Sequence, residues 1–220
     1  MSERNSAIPF TYKYSQPEEY HFSIDSIEMA WEVSEHLKEC IAEDNQTKKQ
    51  SPSEFLRNKM RWWKALDLCA GCGVIGFDLN FHMPAIRRID FVDVQDVYES
   101  HFKHNLSLIQ NEGEFQFLVK NYEALLTEEF KERYQLIVCN PPYFKVEQGK
   151  QSNSEFKNRC KFFIDSTFEK LTEVLAHCLS QDGEAFLLLR DLEDHNIDLL
   201  SELRASLRGR LQIENLKMIR

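Results

Sequence analysis

An α/β fold with a mostly parallel sheet and helices on both of its faces is predicted by three observations. Short apolar runs alternate along the chain with segments of helical periodicity. The first well-defined run, KALDL from Lys64, breaks into three glycines, Gly71, Gly73 and Gly76. A second run, Arg88 to Val94, carries an acid, Asp93, 26 residues beyond Asp67 of the first. A strand feeding a glycine loop and a helix, followed by a second strand with a terminal acid, is the ligand-binding end of a parallel sheet.

At 220 residues the chain has the length for one such domain, read over 63–220, with an arm and helical extension over 1–62. A hydrophobic fraction of 42% and a charged fraction of 29% are ordinary for a soluble globular protein. No apolar run reaches membrane-spanning length. The polar start MSERNSAIPF has no secretory apolar core, so the expected location is the cytoplasm. The six cysteines show no regular framework, and reduced thiols are expected. Cys69 and Cys72 spell C-x-x-C, but inside the glycine loop and without a second pair or a histidine pair at zinc spacing. No metal is expected.

The elements follow in order. Residues 1–25 are aromatic-rich without helical periodicity, and read as an arm packed on the domain. Asp25 and Glu28 form a capping-box pattern, and Ile27, Ala30, Trp31, Leu37 and Ile41 mark one face of a helix. Asp25 is either its N-cap or a residue lining a ligand pocket. AEDNQTKKQSP from Ala42 reads as an exposed loop, and a short amphipathic piece leads to Trp62 and Trp63. After the glycine loop come a helix, the strand ending at Asp93, and a helix marked by Tyr98, Phe102, Leu106 and Ile109. Phe115 to Val119 is a third strand, Tyr134 to Cys139 a fourth and Glu184 to Arg190 a fifth. A helix over His195 to Leu207 and a sixth strand over Leu211 to Ile219 complete the expectation.

The glycine loop carries the first chemical signal. D-L-x-x-G-x-G is not the dinucleotide pattern G-x-G-x-x-G, because an acid stands ahead of the loop. An anionic Asp67 disfavours a pyrophosphate and suits a ligand with a cationic end, faced directly or through water. S-adenosylmethionine, with an ammonium and a sulfonium, is such a ligand. A plain strand-to-helix turn is the competing reading. Asp93 is either placed to accept from both ribose hydroxyls or an exposed strand-end acid, and Asn121, followed by Tyr122, either meets the amino edge of an adenine or is a turn residue.

The second signal is Asn140-Pro141-Pro142-Tyr143 at the end of the fourth strand. Two prolines fix the backbone and remove two donors, leaving carbonyls as acceptors. With the Asn140 side chain they can hold both hydrogens of a planar amino group, while Tyr143 offers a face for stacking.

The net charge of -9 argues against a protein that coats nucleic acid non-specifically. Positive charge is confined to two segments. Lys145, Lys150, Lys157, Arg159 and Lys161 outnumber Glu147 and Glu155, and five cations between Leu203 and Arg220 face Glu214 alone. They are either solvated faces or surfaces for phosphates.

DLCAGCG together with NPPY resembles the class I S-adenosylmethionine-dependent methyltransferases that act on exocyclic or amide nitrogens, across Lys64 to about Arg190. The arm FTYKYSQPEEYHFSIDS is similar to that of the bacterial valine-tRNA adenine-N6 methyltransferase group. The resemblance implies a Rossmann-like sheet, with Asp67, Cys69, Ala70, Gly71 and Gly73 at the methionine end of the cofactor. It assigns Asp93 and Val94 to the ribose, Asn121 and Tyr122 to the adenine, and Asn140 to Tyr143 to the transfer site. Cys69 and Cys72 stand where that family more often has Gly and a small hydroxyl residue, Asn121 replaces the usual Asp, and the seventh strand of the fold has no counterpart in the sequence.

Read this way, Asn140 and the Pro141 carbonyl orient an amine without a strong base, and catalysis rests on geometry. An RNA adenine, unpaired or flipped, is the expected target, stacked on Tyr143 with Lys145, Lys157, Arg159 and Lys161 on flanking phosphates. A protein glutamine presents the same two amide hydrogens to NPPY. A non-catalytic binding subunit with the same fold is the third reading.

Overall fold

Alternate residues of the central strand leave opposite faces of the sheet, and each face is covered by its own helices. In the computed structural model, residues 13–48, 60, 62–109, 113–190, 192 and 197–214 are described. The strands are β1 (Lys64–Leu68), β2 (Arg88–Asp93), β3 (Glu114–Val119), β4 (Tyr134–Cys139) and β5 (Leu179–Leu187). They form one sheet in the order β3-β2-β1-β4-β5, with every pairing parallel. Parallel neighbours require crossovers. Helices α2 (Val74–His82) and α3 (Val97–Leu108) supply them on one side of β1, and α5 (Phe168–Cys178) leads into β5 on the other.

Ala65, Leu136 and Val138 point to the face covered by α1 (Ile24–Lys48), α2 and α3, where they meet Met29, Val33, Leu37, Phe77 and Phe102. Leu66, Leu68, Ile137 and Cys139 point to the opposite face, packed on α5 and α6 (Leu199–Leu207) through Leu171, Leu175, Leu203 and Leu207. Strand order reverses at β1, which has β2 on one side and β4 on the other. That switch point is where a crevice opens beyond the carboxyl ends of the strands.

The arm is held by Ser15. Its backbone N–H donates to Asn105 Oδ1 at 2.6 Å, and its hydroxyl lies 2.7 Å from His101 Nδ1. Asn105 also donates to the Cys72 carbonyl at 3.0 Å, so α3 ties the arm to the glycine loop.

Several sequence expectations change. Helix α1 continues to Lys48, over the first seven residues of the stretch read as a loop, since no Gly or Pro interrupts them and Ala, Glu, Gln and Lys propagate a helix well; residues 49–52 lie outside the described residues. Asp25 lies in its first turn rather than at the N-cap. Strand β5 starts at Leu179, directly after α5, and ends at Leu187 instead of Arg190. The last helix begins at Leu199, where the Asp198 carboxylate caps it by accepting from the Ser201 N–H at 2.8 Å. Residues 211–214 form no strand, and the rest of the expected sixth strand lies outside the described residues, as do residues 1–12 and 51–59. Among the described residues no helix is long and apolar enough to cross a membrane.

Candidate active site

Three residues with left-handed backbone turn the chain out of β1. Cys69, Gly71 and Gly73 have φ of 59°, 53° and 88°. The Ala70 N–H donates to the Val92 carbonyl at 3.0 Å, anchoring the loop to β2. Asp67 lies beneath it, fully buried, and its Oδ2 accepts from the Gly76 N–H at 2.8 Å. Its Oδ1 has no hydrogen-bond partner among the described residues. Burial raises this carboxyl well above the usual carboxylate range, the Gly76 amide opposes that, and Asp93 adds to it. A Cβ on Gly76 would stand 2.4 Å from the Phe91 ring, so glycine is what lets α2 sit directly on β2.

Above the loop is a small cavity of about 100 Å³ that opens to solvent. Cys69, Gly71, Asp93, Val94, Asn121, Tyr122 and Pro142 wall it. Asp67, Ala70 and Gly73 are not on its wall, and neither are Asn140, Pro141 and Tyr143. Asp93 is oriented by two amides, Oδ2 accepting from Gly71 and Oδ1 from Gln95, both at 2.9 Å. Burial, with the Asp165 charge adding, lifts its pKa to about 6 against those two hydrogen bonds. Asn121 caps a single helical turn, its Oδ1 accepting from the Glu123 N–H at 2.9 Å, while its Nδ2 donates to the Asp165 carbonyl at 2.7 Å.

A further part of the wall comes from a segment that the sequence analysis read only as a basic run. Helix α4 (Glu155–Lys161) and residues 162–166 close over the cavity, contributing Arg159, Cys160 and Phe162 to Ser166. Cys160 Sγ lies 3.3 Å from the Tyr98 hydroxyl and accepts from Gln95 Nε2 at 3.4 Å. Phe156 packs against the Tyr98 ring. Arg159 pairs with Glu155 at 3.0 Å and Asp165 at 3.4 Å, so it belongs to this wall. Lys145 pairs with Glu202 at 3.1 Å. Lys157 and Lys161 lie on α4, and the Lys161 ammonium stands over the Tyr20 ring.

The NPPY loop is built onto the same segment. The N–H groups of Tyr143 and Phe144 donate to the Lys161 carbonyl at 3.2 and 3.1 Å, and the Phe163 N–H donates to the Phe144 carbonyl at 2.8 Å. Asn140 is held at both ends of its amide. Its Oδ1 accepts from the Tyr143 hydroxyl, and its Nδ2 donates to Ser26 Oγ at 3.0 Å. Burial raises the Tyr143 phenol above its ordinary pKa, with Asp25 and Tyr20 adding to the rise, which makes it a donor rather than a base. Ser26 and the covering segment escaped the sequence reading. Ser26 sits 114 residues from its partner, and no periodicity signals such a contact.

The parallel order β3-β2-β1-β4-β5, with an acidic glycine loop at the switch point and Pro142 of NPPY on the wall of the same cavity, defines a Rossmann-like class I methyltransferase fold. The chain belongs to the methyltransferase small domain family, whose model matches residues 50–186. It is 27% identical over 154 residues to a tRNA1(Val) (adenine(37)-N6)-methyltransferase of Shewanella sp. (strain W3-18-1), covering 69% of this chain and 63% of that protein. A release factor glutamine methyltransferase of Flavobacterium psychrophilum is 26% identical over 148 residues, covering 63% of this chain and 50% of the relative. This chain therefore spans less than two thirds of either relative. The solved structure of PH1948 from Pyrococcus horikoshii superposes with a TM-score of 0.51 at 12% identity, over 84% of this chain and 73% of that one, a likeness of fold.

S-adenosylmethionine is the cofactor of this family, and the residues present fit it. Asp93 offers a carboxylate already aimed by two amides, the left-handed loop brings backbone close to the cavity, and Asp67 Oδ1 is an unserved acceptor beneath that loop.

Proposed function

We propose that this protein is an N-methyltransferase acting on the exocyclic N6 of an RNA adenine, such as one in a tRNA. The observation that carries the reading is Asn140, whose amide is clamped between Ser26 and Tyr143 beside the cavity that Pro142 lines. S-adenosylmethionine supplies the electrophilic sulfonium methyl. Asn140 Oδ1 keeps a second lone pair for one amino hydrogen, and the Pro141 carbonyl takes the other. Held this way, the amine turns its own lone pair toward the donor, and its excess proton leaves afterwards to solvent. The raised pKa of Tyr143 leaves it protonated, bracing Asn140 and presenting a ring face to the base.

A base inside a duplex cannot reach such a pocket, so the target is an unpaired or flipped nucleotide. Lys157 and Lys161, on the outer helix of the covering segment, are the cations for its flanking phosphates. A glutamine amide presents the same two hydrogens, and one of the relatives carries that name.

The test is transfer of labelled methyl from S-adenosylmethionine into separated RNA and protein fractions of a cell extract, by the wild type and by Asn140→Ala. Label in RNA that disappears with Asn140→Ala supports the proposal. Label in protein moves the substrate to glutamine, and label in neither overturns catalysis.

A further inference from the structure

His36 and Cys40 stand four residues apart on α1, so both side chains leave the same helix face. That face lies against strand β5, where the His36 ring meets Phe186 edge-on with centroids 5.5 Å apart. Beside Phe186 on the same strand, Glu184 brings Oε2 to 3.0 Å from His36 Nε2. Cys40 Sγ approaches the same nitrogen to 3.5 Å, and the three atoms all lie within 4.8 Å of one another. One imidazole nitrogen thus faces both a carboxylate oxygen and a thiol sulfur. It has a single proton or a single lone pair to offer, which serves one partner at a time.

We propose that His36, Cys40 and Glu184 form a zinc site joining α1 to strand β5. A tetrahedral zinc with Zn–N of about 2.0–2.1 Å and Zn–S of about 2.3 Å separates nitrogen from sulfur by about 3.5 Å, and nitrogen from a carboxylate oxygen by about 3.3 Å. The side chains approach those separations as they stand. Imidazole, thiolate and carboxylate together select zinc over calcium or magnesium, which take oxygen ligands. The His36 and Glu184 side chains are 28% and 42% exposed, so water can complete the coordination. Binding releases the thiol proton of Cys40 and leaves His36 Nε2 as a lone-pair donor. The site is separate from the cavity and takes no part in methyl transfer. It clips the sheet to the helix whose first turn carries Ser26.

Metal-free protein titrated with Co²⁺ tests this. The expected result is one Co²⁺ per chain, with the visible bands of a four-coordinate ion and a thiolate-to-cobalt absorption, both displaced by Zn²⁺. Cys40→Ser removes the thiolate absorption. Glu184→Gln weakens binding by at least the roughly tenfold that losing even an outer partner costs. Zinc raises the melting temperature of the wild type but not of Cys40→Ser. Both substitutions fall on side chains open to solvent, and matching far-UV circular dichroism checks that the fold is kept. Absence of stoichiometric binding, or a thiolate band that persists in Cys40→Ser, overturns the site.

Discussion

Ser26 accepts a hydrogen bond from Asn140 at 3.0 Å, joining the first turn of the first helix to the end of the fourth strand. The contact decides which way the Asn140 amide faces, because its other end already takes the Tyr143 hydroxyl. Ser26→Ala leaves a half-buried donor unserved and lets the amide turn. Methyl transfer is expected to fall about tenfold, equivalent to about 1.4 kcal/mol. S-adenosylmethionine affinity should not change, since Ser26 is absent from the cavity wall, and Ser26→Thr should restore the rate. Single-turnover kinetics alongside cofactor titration separate the two effects.

Cofactor affinity should follow the ionisation of Asp93. Its folded pKa of about 6 is raised above the ordinary carboxylate value by burial, and ribose hydroxyls prefer the charged form. Binding should therefore weaken as pH falls through about 6, and Asp93→Asn should bind weakly with no such dependence. The folding linkage has the opposite sense. A raised acid pKa contributes stability that is present below the unfolded value near 4 and lost as pH rises through about 6. Calorimetric titration and urea unfolding across that window check both signs.

Gly76→Ala is expected to destabilise the protein by about 1–3 kcal/mol, because the added methyl meets the Phe91 ring at 2.4 Å and Asp67 Oδ2 at 3.1 Å. In an exposed helix the same change stabilises by about 1 kcal/mol. The sign of the shift in urea midpoint distinguishes the two.

Reversing Lys157 and Lys161 together should weaken RNA binding and flatten its dependence on salt, while cofactor affinity holds. Arg159→Glu should behave differently. Arg159 and its partner Asp165 both line the cavity, so that substitution should disturb cofactor binding first. Fluorescence titrations at two salt concentrations read both.

The first four strands could be read from sequence because each is a short apolar run ending in a residue of distinct chemistry: Asp67, Asp93, Asn121 or Asn140. Strand β5 was misplaced because Asp182 and Gly183 look like a turn, whereas the chain passes straight from α5 into the strand. The sequence also pointed to which loops surround the cavity, since the glycine loop and the strand-end acid follow local rules. It did not show that Asp67 lies beneath the loop, that Arg159 turns inward, or that Ser26 reaches Asn140. Each of these depends on long-range packing, which leaves no period or spacing in the chain.

The bridge between Phe144 and Phe162 has one further consequence. The residues that roof the cavity and the residues that carry Tyr143 are hydrogen-bonded to each other, so the roof cannot lift without displacing the tetrapeptide. Any opening of the roof to admit the donor is therefore expected to move the acceptor loop with it. For the methyl transfer proposed above, the expected order is donor first on and spent donor last off. Product-inhibition patterns would record that sequence: demethylated donor competing with fresh donor, and noncompetitive against the acceptor.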